Sequence, residues 1–124
     1  MKVSKELLSG VLGLDIVDYS IVENTVRINL LYHPDTALNR ELELANTSYG
    51  SKGSINIYEL AHKCKEWALK NEHNLLSYLS DRNGLQESFV QLYNYKTFIT
   101  TIRADTEPEA IFEACQWILD NKEI

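Results

Sequence analysis

The sequence predicts an α+β fold, in which three helices pack on a mainly antiparallel sheet of about five or six strands. Two observations support this prediction. Apolar residues recur at helical spacing in three segments, each of which begins at a capping residue. Between these segments lie short runs rich in β-branched and aromatic residues, separated by turn sequences such as Asn83-Gly84. The expected order is α-β-β-(β)-α-β-β-β-α.

The first predicted helix covers residues 4–12. Ser4 is a suitable N-cap, and the leucines and valine at 7, 8, 11 and 12 share one helical face. Gly13 can adopt the left-handed conformation that ends a helix, and Leu14 can fold back against it.

The next two segments predict a β-hairpin with its turn at Asn24-Thr25. Residues 14–22 carry apolar groups at both parities, whereas residues 26–32 largely alternate between apolar and polar. Only the first of these strands is therefore apolar on both faces. A sheet covered by helices on both faces, as in an αβα sandwich, needs strands that are apolar on both faces. We therefore expect a second layer of helices to cover the sheet only in part, and the first helix is the candidate for this layer.

Residues 34–54 leave two alternatives open. The alternation Glu41-Leu42-Glu43-Leu44 favours an edge strand at 41–45, whereas Asp35 as a cap would suit a short helix. Residues 49–54 are expected to form a mobile loop because glycine and serine dominate them.

The second predicted helix covers residues 57–71 and gives the clearest helical pattern in the chain. Asn56 and Glu59 have the spacing of a capping box. One face of the following four turns is apolar, and the opposite face carries charged residues. The apolar face consists of Ile57, Leu60, Ala61, Cys64, Trp67 and Ala68.

The rest of the chain predicts a three-stranded meander and a closing helix. Strands are expected at 75–79, 89–93 and 98–102, with the first closed by a turn at Asp81-Arg82-Asn83-Gly84, in which Asn83-Gly84 is a strong hairpin signal. The helix is expected at 107–121. It begins at Thr106 as the cap, with Glu109 as the box partner and Pro108 in the first turn, where the missing N–H costs little.

Length and charge restrict the class of protein. The chain has 124 residues, 44% of them apolar, and a net charge of −6. This predicts a single domain spanning residues 1–124 and makes direct nucleic-acid binding unfavourable. No apolar run approaches the ~18 residues of a membrane span, and the N-terminus does not resemble a signal peptide. A cytoplasmic location is expected, and no membrane partner.

Residues 55–68 and 106–119 resemble segments of small phage and prophage proteins. The second segment, which begins Thr106-Glu107-Pro108-Glu109, is similar to the closing helix of the phage ABA sandwich domain family, an α+β unit without an assigned activity. The opening residues 6–13 also resemble the start of such proteins. Because the matching residues are mostly cap and core positions, the resemblance implies a fold and a phage origin, in the host cytoplasm, and transfers no catalytic residue.

The residues that could carry chemistry fit structural roles. Cys64 and Cys115 fall on apolar helix faces, where a thiol packs as a small hydrophobe; a disulfide between them is the alternative if both helices lie side by side. His62 and Glu66 could bind a metal or act as an acid–base pair, but neighbouring lysines are typical of a solvated helix surface. We therefore predict no catalytic residue, no metal and no cofactor.

Three other groups could bind a ligand or partner. The Gly50–Gly53 loop could hold an anion before a helix N-terminus, although it does not match a Walker A motif. Four aromatic residues of the meander could form a stacking platform or a protein contact. They are Tyr78, Tyr93, Tyr95 and Phe98, with Lys96 beside them. The C-terminal stretch is acidic, which suits a nucleic-acid mimic or an ordinary solvated helix face. Its acidic residues are Asp105, Glu107, Glu109, Glu113, Asp120 and Glu123.

Three hypotheses about function follow. The first is a non-enzymatic phage or prophage accessory protein that acts through protein contacts with an unknown partner or with a second copy of itself. The second is an acidic inhibitor of a host nucleic-acid-binding enzyme, with the last helix as the mimic. The third is a small-anion or nucleotide-binding domain that uses the Gly50–Gly53 loop.

Overall fold

The computed structural model describes residues 2–30, 43–47 and 50–121, and they form the predicted α+β class with the predicted order of helices. The described chain divides into two compact units, one of Lys5–Leu60 and one of Met1–Ser4 with Ala61–Ile124. Its elements are α1 (Lys5–Leu12), β1 (Ile16–Val22), β2 (Thr25–Leu30), β3 (Glu43–Thr47), β4 (Gly50–Asn56), α2 (Ile57–Lys70), β5 (His73–Arg82), β6 (Leu85–Asn94), β7 (Thr97–Ala104) and α3 (Glu107–Asp120).

The unit of Lys5–Leu60 contains a four-stranded antiparallel sheet with the order β1-β2-β4-β3. The predicted hairpin is confirmed, but its turn is Glu23-Asn24, one residue before the predicted Asn24-Thr25, because Thr25 pairs with Val22 as the first residue of β2; Glu23 is in the left-handed region at φ 56°. Helix α1 packs against β1 and ends as predicted at Gly13, whose φ is +68° and whose N–H donates to the carbonyl of Ser9.

The alternation in β2 is also confirmed. Val26, Ile28 and Leu30 are buried, whereas Arg27 between them is exposed and Asn29 is half-buried. Successive side chains of a strand point to opposite faces, so this sheet has one buried apolar face and one polar face.

The prediction of a mobile loop at 49–54 is wrong for Gly50–Ser54, which belongs to β4. This strand is internal to the sheet: it pairs with β2 on one side and with β3 on the other. Glycine and serine are poor strand formers, but backbone hydrogen bonds to two neighbours outweigh a propensity that spans only ~1 kcal/mol. Within residues 2–30, 43–47 and 50–121, the two sheets contain seven strands, where the sequence predicts one sheet of about five or six.

The predicted edge strand at 41–45 is confirmed as β3, which begins two residues later and lies at the edge of the sheet. The alternative helix capped by Asp35 falls on residues outside the described ranges.

Helix α2 begins where the capping pattern places it. The backbone N–H of Tyr58 donates to Asn56 Oδ1 over 2.8 Å, and the N–H of Ile57 donates to the carbonyl of Asn24 over 2.8 Å. Two of the first backbone N–H groups of the helix are thereby satisfied. At the other end, Asn71 Nδ2 donates to the carbonyl of Trp67.

The second unit contains the predicted meander, a three-stranded sheet with the order β5-β6-β7. Its strands are longer than the apolar runs indicate, since the backbone ladder continues through polar positions. Asp81 and Arg82, expected in the turn, belong to β5 and pair with Gln86 and Leu85 of β6. The turn itself is Asn83-Gly84, with φ of 55° and 80°, and positive φ at both central residues is what a type I′ hairpin requires.

Helix α3 packs on this sheet and begins at Thr106, whose Oγ1 accepts the N–H of Glu109 over 3.4 Å. The Ser4 hydroxyl donates to Gln116 Oε1 of the same helix over 2.6 Å. The unit has a continuous apolar core. Its buried residues include Leu75, Val90, Leu92, Ala110, Ile111, Phe112, Ala114, Cys115 and Ile118.

The β5–β6 turn requires a left-handed backbone conformation at Asn83 and Gly84, and this requirement can be tested by substitution. A Cβ added at Gly84 meets no atom within 4 Å, so the cost of Gly84→Ala is the backbone conformation alone, about 1 kcal/mol. We expect denaturant unfolding to show this loss. Asn83→Gly is the matched control and should change stability by less than about 0.5 kcal/mol, because glycine accepts positive φ freely. Equal losses in the two variants would contradict this account of the turn.

Candidate functional site

One face of the β5-β6-β7 sheet displays a group of apolar and aromatic side chains, which we call the aromatic face. It consists of Leu76, Tyr78, Phe89, Tyr93 and Phe98. These residues alternate along their strands with the buried set that includes Leu75, Val90 and Leu92. Because α3 packs on this sheet and alternate side chains point to opposite sides, the aromatic face lies on the side away from α3.

The aromatic residues form two cross-strand pairs. Tyr78 is directly opposite Phe89, and their rings are stacked with centroids 5.2 Å apart and an interplanar angle of 10°. Tyr93 is opposite Phe98, with an edge-to-face arrangement and centroids 5.6 Å apart. The Tyr93 hydroxyl donates to Gln91 Oε1 over 3.1 Å. Such pairs hold the rings in fixed positions on the sheet.

Much of this face is accessible. Leu76 is 48% exposed, Tyr78 45% and Phe98 52%. Single exposed apolar residues are ordinary on protein surfaces, whereas the largest contiguous apolar patch of a protein, typically a few hundred Å², is often functional. The grouping of these residues on one sheet face therefore distinguishes them from scattered exposed residues such as Leu69.

Charges of both signs lie at one end of the aromatic face. Arg103, opposite Phe89 in the register, places its Nη1 3.6 Å from Glu87 Oε2. The two charges offset each other, but Arg103 also lines a cavity with Asp105, Glu109 and Glu113, so this end of the face is acidic.

The structure brings together three of the four aromatic residues that the sequence singled out. Tyr95 is not among them: it lies in the β6–β7 turn with φ 55°, and a hydrogen bond with Glu72, together with the charge of that carboxylate and slight burial, raises the Tyr95 pKa. Sequence reasoning missed Leu76 and Phe89. The register of the hairpin would have found both, since each stands opposite or two residues from a member of the predicted platform.

Cys64 and Cys115 have the structural role that the sequence predicts. Both are buried free thiols, and Cys115 Sγ donates to the carbonyl of Cys64 over 3.4 Å. The hydrogen bond between the two thiols raises the pKa of Cys64, and burial and repulsion between the two sulfurs raise it further. A thiol held in its neutral form is a poor nucleophile, so Cys64 is not suited to nucleophilic catalysis, and the Cys115 thiol is fully buried.

The thiols should be unreactive until the protein opens. With a chromogenic disulfide at pH 8, we expect labelling of the folded protein to be slower by roughly a hundredfold or more than in denaturant. Alkylation with and without prior reduction should give the same mass. Rapid labelling of the native protein, or a mass that depends on the reductant, would argue against buried free thiols.

His62 and Glu66 share a helix face as predicted, with Nε2 3.0 Å from Oε1, but their side chains are 74% and 57% exposed. Within the described parts of the chain, no group of three or more His, Cys, Asp or Glu side chains is placed to hold a metal. A contact between two exposed side chains one helical turn apart is of small energetic value.

The predicted acidic stretch divides in the structure. Asp105, Glu109 and Glu113 line a cavity of about 260 Å³ together with Glu87 and Arg103. Two other members have partners elsewhere: Glu107 Oε1 lies 3.5 Å from Lys65 Nζ, and Asp120 Oδ1 accepts a hydrogen bond from Gln116. Glu123 lies outside the described residues.

The neighbouring acidic residues in this cavity affect the pKa of Glu113 and, through it, the stability of the fold. Its pKa is raised by partial burial and then by repulsion from Glu109. A carboxyl with a raised folded-state pKa destabilises the fold when ionised. The effect is fully present above the folded-state pKa and disappears as pH falls below the unfolded value.

We therefore expect Glu113→Gln to stabilise the protein at pH 7, by less than about 1 kcal/mol because the group is solvent-screened. At pH 3, where the carboxyl is protonated, the variant and the parent should unfold at the same denaturant concentration. A stability gain of the same size at both pH values would show that ionisation is not its cause.

The Gly50–Gly53 segment does not form a loop before a helix. Its residues lie in β4, between β2 and β3, where the backbone groups take part in the sheet ladders. An anion cradle built from free backbone N–H groups is therefore not available there.

Comparison with protein-family models, curated proteins and solved structures finds no match to this chain. Among the helices described here, none is long and apolar enough to cross a membrane.

Proposed function

We propose that this chain is a non-enzymatic accessory protein that acts through protein contacts, and that the aromatic face is its contact surface. The observation that supports this is the grouping of Leu76, Tyr78, Phe89, Tyr93 and Phe98 on one accessible sheet face. Aromatic residues are enriched in the centres of protein interfaces, and large exposed apolar patches mark them. The resemblance of residues 55–68 and 106–119 to phage and prophage proteins supports a phage origin for the accessory role.

The occupant that we propose for the aromatic face is a second copy of the chain. Two copies that each carry −6 repel each other, which weakens their association. The repulsion is smallest at the aromatic face, because its members are uncharged and the acidic group around Arg103 and Glu87 lies only at one end. A two-fold axis would place apolar side chains of one copy against the same side chains of the other, as in isologous dimers.

The size of the face predicts weak association. Three strands of about eight residues present roughly 14 Å by 27 Å, or about 400 Å², from the standard strand spacing and rise. A standard interface buries ~800 Å² on each partner. After the loss of translational and rotational freedom, we expect a reversible dimer with a dissociation constant of the order of micromolar or weaker.

Sedimentation velocity over about a hundredfold concentration range tests this proposal. The parent protein should shift from monomer to dimer as concentration rises. Leu76→Glu and Phe98→Glu should each raise the dissociation constant by at least about tenfold, because each places a carboxylate in the apolar contact and next to its symmetry mate.

Leu69→Glu is the matched control: Leu69 is 61% exposed on α2 and lies outside the aromatic face. It should dimerise like the parent. A monomer at every concentration overturns the assignment of a second copy as occupant, and equal weakening by Leu69→Glu overturns the assignment of the aromatic face.

A further inference from the structure

The polar face of the first sheet contains a groove whose position is distinct from the aromatic face. The groove has a volume of about 400 Å³, within the range of small-molecule clefts. It is lined by Ser20, Arg27, Ile28, Asn29, Lys52, Gly53 and Ser54.

The strand register explains why these polar residues converge. Arg27 in β2 stands between Ser20 of β1 and Ser54 of β4, and the neighbouring row of the same face places Asn29 beside Lys52. Arg27 and Lys52 are thus diagonal neighbours on adjacent strands, about 7–8 Å apart at their bases. Both side chains are long and flexible enough to reach one point between them.

The opposite face holds the apolar residues of the same strands. Ile28 is 1% exposed and is paired with Gly53, so these two residues form the floor of the groove through their backbone. The groove therefore has a rigid sheet floor, and its walls consist of two cationic, two hydroxyl and one amide side chain.

The two cations are not neutralised by neighbours. Among the described residues, neither Arg27 nor Lys52 forms an ion pair, whereas Arg103 is paired with Glu87 and Lys65 with Glu107. Two uncompensated cations in one groove are unusual in a chain of net charge −6. They favour an anion, since a guanidinium offers a planar set of donors and an ammonium offers a point charge.

Two acidic residues are placed on this face by the register and limit the charge of the site: Asp18 of β1, and Glu43 of β3, which is opposite Ser54. Asp18 is opposite Asn29 in the register, and the Asn29 amide donates to Asp18 Oδ1. This hydrogen bond fixes the Asn29 amide and places a negative charge at the β1 side of the face. An anion would therefore bind in the middle of the face, between Arg27 and Lys52, where the Ser54 hydroxyl is in the same row as Arg27.

We propose that this groove is a binding site for a phosphate-type oxyanion. The Arg27 guanidinium and the Lys52 ammonium bind the oxygens, the Ser54 hydroxyl donates to them, and Ser20 lines the β1 side of the groove. Its volume exceeds that of one phosphate group, so the ligand class includes diphosphates, either free or as the phosphate tail of a nucleotide. The site uses side chains of three paired strands, in place of the backbone loop that the sequence indicated.

Isothermal titration calorimetry with pyrophosphate tests the proposal on the full chain. Arg27→Gln and Lys52→Gln should each weaken pyrophosphate binding by about tenfold, the effect of one charge-assisted hydrogen bond. Arg27→Lys should lose part of the affinity because it keeps the charge and loses the fork of donors. Asp18→Asn should tighten binding about threefold because it removes a nearby negative charge.

Lys70→Gln is the control, since it removes the same charge from an exposed position at the end of α2. It should bind pyrophosphate like the parent. Circular dichroism of each variant verifies that the fold is retained, and exposed strand residues such as Arg27 are suitable for substitution. No binding by the parent overturns the proposal, as does equal weakening by Lys70→Gln or an unchanged affinity in both groove variants.

A second titration, with ADP, distinguishes the two sources of the diphosphate. Binding of ADP and pyrophosphate with equal affinity assigns the groove to the phosphate groups alone. Tighter binding of ADP, with the same dependence on Arg27 and Lys52, assigns it to a nucleotide.

Discussion

Backbone pairing in the two antiparallel sheets places successive side chains on opposite faces. When every second residue of a strand is buried on one face, the residues between them lie on the other face. In β2, the burial of Val26 and Ile28 leaves Arg27 on the polar face. In β6, the burial of Val90 and Leu92 leaves Phe89 and Tyr93 on the aromatic face. A shift of register by one residue would exchange these faces, which is why both candidate surfaces depend on the same constraint.

The two faces differ in the kind of partner they suit. Stacked and edge-to-face rings on the aromatic face offer rigid apolar area, which gains free energy when water is removed. The groove beside Arg27 and Lys52 offers charge and hydrogen-bond donors in fixed rows, which distinguish oxyanions from apolar ligands. Burial of Cys64 and Cys115 removes the strongest nucleophiles of the described chain from either surface.

Local signals in the sequence predicted most of the helices and turns. Asn56 and Thr106 accept backbone N–H groups at the starts of α2 and α3, and Gly13 ends α1, because capping depends on residues within one turn. Asn83-Gly84 predicted its hairpin for the same reason, since the conformation it requires is set by two residues. The edge strand near residue 43 also followed from alternation alone.

Other features depend on residues far apart in the chain. The composition of Gly50–Ser54 indicates a loop, but hydrogen bonds to β2 and β3 make it an internal strand, and no local pattern contains those neighbours. The same pairing brings Lys52 next to Asn29 and thereby forms the groove. The sequence instead suggested an anion site made of backbone groups in a loop at Gly50–Gly53. Leu76 and Phe89 entered the aromatic face only through the register of β5 with β6.

The sequence by itself determined the α+β class, the three helices with their capping residues, the meander and the burial of both thiols. These depend on periodicity and on contacts within a few residues, which the order of amino acids contains directly. The tertiary structure alone decided that there are two sheets, that β4 is internal, and which polar and aromatic residues share a face. Those outcomes depend on the pairing of strands that are distant in the chain. Because each cross-strand contact involves residues of two segments, no pattern within one segment determines it.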